Sequence, residues 1–208
     1  MVDSIIDVSH YNGSSLDFSA AAQGGIQAVI HKATQGSGPI DPMWTTNRAK
    51  VLSAGLLFGS YHFGANSDGA AQANHFMAAV GPNTGELLAL DFERNDPATM
   101  TLDQARAFVT TVHAKIGRWP VLYGGAYLTQ MLNGAPDRVL ANCPLWLARY
   151  GSNAVLPAGW SSWSLWQYND GKTAPVPPPV PGVGQQVDRE RYNGDAIDLA
   201  TFWSEVSA

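Results

Sequence analysis

Leu87-Leu88-Ala89-Leu90-Asp91-Phe92-Glu93 is an apolar run that ends in two carboxylates two residues apart. A strand turns alternate side chains to one face, so Asp91 and Glu93 point one way while Leu88, Leu90 and Phe92 point the other. Two acids ~7 Å apart at one strand end repel each other, and such a cost is retained where the pair does chemistry. A solvated strand end and a metal pair are the alternatives that this segment alone leaves open.

Outward from this run, short β-branched and aromatic segments recur, most with a polar residue near the C-terminal end. They are Ile5 to Ser9, Ala28 to Lys32, Leu57 to His62, Leu87 to Glu93, Pro120 to Tyr123, Leu145 to Tyr150, Trp163 to Tyr168 and Gln186 to Tyr192, eight candidate strands in all. The clearest helical pattern runs from Thr101 to Ile116, with Leu102, Ala105, Val109, Val112 and Ile116 in one stripe. Thr101 and Gln104 suggest a capping box there, and Gly117 a terminator. Others run from about Pro42 to Ala54, Gly69 to Val80 and Ala126 to Leu132.

Marker positions 7, 31, 62, 91 and 123 are 24, 31, 29 and 32 residues apart, which leaves room for a crossover helix between parallel strands. The later markers at 146, 166 and 188 are only 23, 20 and 22 residues apart, so the last strands are expected to connect by loops or hairpins. The spacing predicts an α/β fold, an eight-stranded barrel with about five helices, irregular in its last third. A closing helix from about Asp195 to Val206 would cover the barrel end through Leu199, Phe202, Trp203 and Val206. The Pro-rich stretch Thr173 to Gly182 resembles a linker, but too little chain follows it for a second domain. It reads as a rigid loop within one catalytic domain spanning 1–208, and its extension to Gly184 is expected to border the groove.

With 45% hydrophobic and 14% charged residues the chain can bury a full core. A net charge of -5 without a Lys/Arg cluster argues against nucleic acid as a partner. Cys143 is the only cysteine, which removes intramolecular disulfides and cysteine-based zinc sites and suits a small buried residue. No segment has the length of a membrane span, and Met1 to Val8 has no basic, apolar leader pattern. The expectation is synthesis in the cytoplasm, with delivery by some route other than a cleavable signal.

Catalytic residues of a parallel barrel collect at the C-terminal strand ends. That rule selects Asp7, His31 and Lys32, Tyr61 and His62, Asp91 and Glu93, Tyr123, Trp146 to Tyr150, Trp166 and Gln167, and Asp188. Acids among aromatic rings suit a sugar: rings stack on the C–H face of a pyranose, while carboxylates protonate the glycosidic oxygen and stabilise an oxocarbenium-like transition state. The competing readings are barrel core for the tryptophans, hydrogen-bonded interior residues for His31 and His62, and a turn or cap for Asp7 and Asp188. No HxxxH or HxH spacing occurs, and no metal or cofactor is expected.

Eight motifs in order carry a family resemblance: Asp7-Val8-Ser9-His10-Tyr11-Asn12-Gly13, Lys32-Ala33-Thr34-Gln35-Gly36, Gly59-Ser60-Tyr61-His62-Phe63, Leu90-Asp91-Phe92-Glu93, Leu122-Tyr123-Gly124, Leu145-Trp146-Leu147-Ala148-Arg149-Tyr150, Leu165-Trp166-Gln167-Tyr168 and Val187-Asp188-Arg189-Glu190-Arg191-Tyr192-Asn193-Gly194. Together they resemble glycoside hydrolase family 25, the Chalaropsis-type lysozymes also found as phage endolysins. The resemblance implies a flattened, TIM-like (β/α)5β3 barrel and N-acetylmuramidase activity on peptidoglycan. It makes Glu93 the proton donor, Asp91 its neighbour, and Asp7 and Asp188 the remaining acids of the mouth. Tyr61, His62, Tyr123, Trp146, Trp166 and Gln167 become candidate substrate-binding residues, and a monomer is expected. Gln35 departs from the family, where many members have Glu.

The same resemblance, with a substrate bearing a 2-acetamido group, implies retention with that group as internal nucleophile. Asp91 would orient the acetamido nitrogen, and Glu93 would protonate the leaving oxygen and later activate water. Two other classes remain on the sequence alone: a wall-binding barrel that has lost turnover, and a divalent-metal hydrolase built on the four acids.

Overall fold

The computed structural model describes residues 1–81 and 85–206. All eight expected strands form: β1 (Val2–Val8), β2 (Ala28–Gln35), β3 (Leu57–Phe63), β4 (Leu87–Asp91), β5 (Val121–Gly124), β6 (Leu145–Ala148), β7 (Leu165–Asn169) and β8 (Asp188–Tyr192). They close into one barrel in sequence order. β1 to β7 pair in parallel, and β8 runs antiparallel to both β7 and β1. The connection from β6 to β7 carries no helix yet keeps the strands parallel, so among the later strands only β8 reverses.

Six helices accompany the described strands: α1 (Phe18–Gln23), α2 (Trp44–Ser53), α3 (Gly69–Val80), α4 (Leu102–Ile116), α5 (Ala126–Leu132) and α6 (Ala196–Val206). The sequence pattern did not mark α1, whose six residues bury only Phe18 and Ala21. In α4 the capping box forms as expected: the Gln104 N–H donates to Thr101 Oγ1 at 3.3 Å, and the Thr101 N–H donates to Gln104 Oε1 at 2.8 Å. Gly117 ends the helix at φ 74°, a left-handed conformation that costs glycine little.

The strand period divides the core in two. Outward-facing residues such as Ile6, Val29, Phe58, Leu88 and Leu90 pack beneath the helices with Phe76 and Phe108. Inward-facing Ile5, Ala28, Ile30, Leu87, Ala89, Val121 and Leu165 fill the barrel and meet Leu199, Trp203 and Val206 of α6. Because β8 runs from Asp188, opposite Asp7, to Tyr192, opposite Val2, the chain leaves the barrel at its N-terminal end, and α6 covers that end as a floor. Phe202 is only half-buried, against Tyr192.

The Pro-rich loop takes a different place from the one expected: none of its residues lines the acidic cleft. It lies along α1, where Asp17 N–H donates to Gly182 O at 2.9 Å and Val180 is buried in the outer core. Gln185 Nε2 donates to Pro177 O at 2.9 Å, Asn169 Nδ2 to Thr173 O at 2.7 Å, and Arg189 to Pro178 O. The loop covers the outer face of β8, where the chain provides no crossover helix.

Trp203 should be the main anchor of the floor, since it is buried and its Nε1 donates to Phe58 O at 2.8 Å. Trp203→Ala is expected to cost about 3–5 kcal/mol, and a domain of this size loses ~2–4 °C of Tm per kcal/mol. Calorimetry showing an unchanged Tm would mean that α6 does not hold the barrel closed.

Candidate active site

Along β4 the alternation continues past the last strand residue, because Phe92 N–H donates to Tyr123 O at 3.0 Å and keeps the chain aligned on β5. Phe92 therefore points outward, buried against the Tyr127 ring at 5.0 Å, and Asp91 and Glu93 turn to the mouth together. Asp7, Asp91, Glu93 and Asp188 line one cleft with Tyr61, Phe63, Tyr123, Trp146, Tyr150 and Gln167. Its volume is about 190 Å³, below the roughly 300–1,000 Å³ of pockets that enclose a whole small molecule.

Asp188 reaches this mouth by a different route from the one the strand-end rule gives. It begins β8 rather than ending it, and the antiparallel direction brings that beginning to the C-terminal ends of the parallel strands. The register then sets Asp188 directly opposite Asp7, a cross-strand pairing of like charges.

Two candidate substrate-binding residues lie elsewhere. His62 follows inward-facing Tyr61 by one residue and so turns out of the barrel. There it is buried, bonded to Thr34 Oγ1 at 2.8 Å and Gln72 Oε1 at 3.0 Å, and stacked on Phe108 at 4.9 Å. Trp166, adjacent to inward-facing Gln167, packs in the outer core against Trp163 and donates from Nε1 to Arg149 O at 2.7 Å. Neither lines the cleft. His31 is also buried in the wall, bonded to Lys32 O and Asn47 Nδ2, and Cys143 is buried.

Rings and amides frame the acids. The Tyr123 hydroxyl donates to Gln167 Oε1 at 2.8 Å, which leaves Gln167 Nε2 to donate to Asp7 Oδ2 at 2.7 Å. Trp146 lies edge-on to Tyr123 at 4.8 Å and to Tyr61 at 6.3 Å. Buried Asp91 Oδ1 has no hydrogen-bond partner, an acceptor left unpaired in a residue that lines the cleft. Lys32 Nζ donates to Gln35 Oε1 at 2.5 Å and lies 4.8 Å from the Phe63 ring centroid.

Burial in the mouth disfavours every negative charge there, and each acid adds to its neighbours' cost. Asp91 is held well above the ordinary carboxylate range by burial and then by Glu93 and Asp7. Burial, followed by Asp7, raises Glu93, and the Lys32 ammonium opposes both shifts. Burial also raises Asp7, opposed by the hydrogen bond it accepts from Gln167. Asp188 is pushed up to about 8 by burial, Asp7 and Asp170. Such a cluster retains protons near neutral pH and can deliver one to a leaving oxygen, which a set of solvated carboxylates cannot.

Sequence reasoning missed two residues of this site. Phe63 lines the cleft, as does Tyr150 from the expected Trp146 to Tyr150 strand end, and Glu190 lies fully buried beneath it. Asp188-Arg189-Glu190 has the same i, i+2 acid spacing as Asp91-Phe92-Glu93, a signal that was available. Among the described residues no three His, Cys, Asp or Glu side chains group closely enough to hold a metal ion.

A family model described as glycosyl hydrolases family 25 matches residues 6–175. Lysozyme M1 of Streptomyces globisporus is 31% identical over 93% of this chain and 69% of its own length. The N,O-diacetylmuramidase of a Chalaropsis species is 32% identical over 79% of this chain and 86% of its own. The crystal structure of the bacterial lysozyme from Streptomyces coelicolor superposes with a TM-score of 0.83, at 29% identity and with complete coverage of both chains.

The raised carboxyls tie stability to pH. Each binds its proton more tightly folded than unfolded, so between the unfolded and folded values the native state carries more protons and stability falls as pH rises. The window for Asp188 runs from its ordinary 3.8 to about 8. Asp41, Asp137 and Asp170 are shifted downward, and what they contribute is complete above the ordinary carboxylate range. His31 and His62, both lowered by burial, add stability as pH rises to about 6.5, so at constant ionic strength the decline in Tm should show between about pH 7 and about pH 8, and Asp188→Asn should flatten that decline and raise Tm at its alkaline end. A flat or rising Tm in the wild type would contradict the assigned direction.

Proposed function

The chain belongs to the glycosyl hydrolases of family 25, and we propose that its acidic cleft hydrolyses the β-1,4 bond between N-acetylmuramic acid and N-acetylglucosamine in peptidoglycan. One observation carries this reading: four acids and five aromatic rings meet at one end of a barrel whose other end is sealed. The enzyme is a lysozyme in activity. One chain supplies every residue of the cleft, so in this reading it works as a monomer.

The chemistry follows from the charges. Asp91 and Glu93 are close enough that ionising one raises the other, and the pair therefore titrates as a unit. In the free enzyme burial favours the proton on Asp91. An acetamido N–H donated to the unpartnered Asp91 Oδ1 reverses that preference, because a hydrogen bond to a carboxylate favours its ionised form. The shared proton then resides on Glu93, the more exposed of the two, which faces the glycosidic oxygen.

Protonation of the leaving oxygen by Glu93 accompanies attack of the 2-acetamido oxygen on the anomeric carbon, which forms an oxazolinium-like intermediate. Asp91, now ionised, stabilises the positive charge that develops on the acetamido nitrogen. Water, deprotonated by Glu93, opens the intermediate with net retention. Tyr61, Tyr123 and Trp146 present ring surface to the sugar, and the Tyr123–Gln167–Asp7 chain fixes the wall against which it lies.

Glu93→Gln should fold normally and lose ~10²- to 10⁴-fold in turnover, the usual worth of general acid catalysis. Near wild-type lysis by the folded variant would remove Glu93 as donor. Asp91→Asn should lower kcat far more than it changes KM, because its charge matters in the transition state. Stereochemistry is read by NMR of the first product: a β anomer is expected, and an α anomer would make Asp91 or Asp7 a base for water.

A further inference from the structure

Glu190 takes no part in the chemistry above, yet it is a carboxyl with no exposure to solvent directly below the reacting groups. On β8 the side chains alternate: Asp188 turns into the barrel, Arg189 turns out to Pro178 O, and Glu190 turns in again. The register places Glu190 opposite Ile5 of β1 and Gln167 of β7. Asp7 stands two residues above Ile5 on the same face, and Gln167 is the residue whose amide already donates to Asp7 Oδ2.

Neither Glu190 oxygen receives a hydrogen bond from any protein donor. The charged groups acting on it are Asp7 and Asp188, both acidic, and the neighbouring amide is Gln167. Across the barrel stand Tyr61 of β3, Tyr123 of β5 and Trp146 of β6, with Asp91 and Glu93 beyond Asp7 and the Lys32 ammonium on β2 acting on that pair. An ionised Glu190 would thus be a buried anion facing two more acids. A neutral Glu190 has one O–H to donate, and the register sets Asp7 on the same inward face, two residues along from the Ile5 that Glu190 opposes, as the first of the charges that act on it.

We propose that Glu190 is a positioning residue, a carboxylic acid kept neutral inside the barrel that donates its hydrogen bond to Asp7 and, with the Gln167 amide, holds Asp7 as the anion of the mouth. The consequence reaches the proton donor. Burial and then the Asp7 charge hold Glu93 protonated, so whatever fixes Asp7 as an anion extends the pH range over which Glu93 can give up a proton. Glu190 acts on the sugar only through Asp7. This role rests on the muramidase reading, but the state of Glu190 itself does not.

Two substitutions of similar size separate the possibilities. Glu190→Gln keeps an N–H to donate and cannot ionise, so it should retain activity within about threefold and leave the pH profile of kcat/KM in place. Glu190→Met removes the donor. Asp7 should then take up a proton, kcat/KM should fall by roughly tenfold or more, and the alkaline limb should move to lower pH by at least about half a unit. A Glu190→Met profile superimposable on the wild type would overturn the proposal, and so would a Glu190→Gln loss as large as that of Glu190→Met.

Infrared difference spectroscopy needs neither substrate nor the methionine variant. The wild type should keep a protonated-carboxyl C=O band at about pH 8 that Glu190→Gln lacks. Loss of that band in the wild type at the same pH would show Glu190 ionised and reject the proposal. Failure of the wild type to cut peptidoglycan, with the band present, would count against the muramidase reading alone.

Discussion

The pairing of β8 with β7 on one side and β1 on the other is the constraint on which the rest depends. It closes the barrel, and because the strand runs antiparallel it brings Asp188 to the mouth opposite Asp7. The same direction sends the chain out at the far end, where α6 packs Leu199, Trp203 and Val206 into the opening. A parallel eighth strand would reverse both results, leaving the floor open and pointing the wrong end of β8 at the substrate. One reversal therefore gives the barrel an apolar closed end and an acidic open end.

Crowding acids at the open end opposes folding, and the opposition is what makes them useful. Burial raises every acid of the mouth, and repulsion from neighbouring acids adds to it at Asp91, Glu93 and Asp188, so protons stay there under conditions that would strip them from a surface acid. The destabilisation is confined to one layer. Beneath it, among the described residues, the interior is apolar apart from Glu190 and the Gln167 amide opposite it, and around it the helices bury an aromatic and aliphatic shell. Ion pairs placed away from the mouth, such as Arg48 with Glu86 and Arg106 with Asp137, do not neutralise the site. A stable scaffold thus supports a strained, proton-retaining site.

The barrel could be read from the sequence because its strands are short apolar runs with period-two alternation, and its long crossovers require helices between parallel neighbours. Ser9 to Gln27 defeated the same reasoning: α1 has one helical turn and a half and buries too few residues to show a stripe. For the site, alternation was decisive in both directions. It paired Asp91 with Glu93 correctly, but gathering whole dipeptides at a strand end placed His62 beside Tyr61 and Trp166 beside Gln167, whereas adjacent strand residues face opposite ways. Spacing put Asp188 at the mouth without its direction, since direction depends on long-range pairing that a local pattern does not encode. Glu190 was legible by the i, i+2 rule and hidden by its distance from the apparent strand end. The Pro-rich loop was legible as rigid but not as the cover of β8 beside α1.

The most direct test of the account is the identity of the sugar left at the new reducing end. Purified peptidoglycan digested by the enzyme, reduced with borohydride and analysed by mass spectrometry, should carry reduced N-acetylmuramic acid at each new end, as a donor at Glu93 acting on the muramic-acid side of the bond requires. Reduced N-acetylglucosamine at those ends, or an intact glycan with only its peptides cut, would contradict the assignment of this cleft.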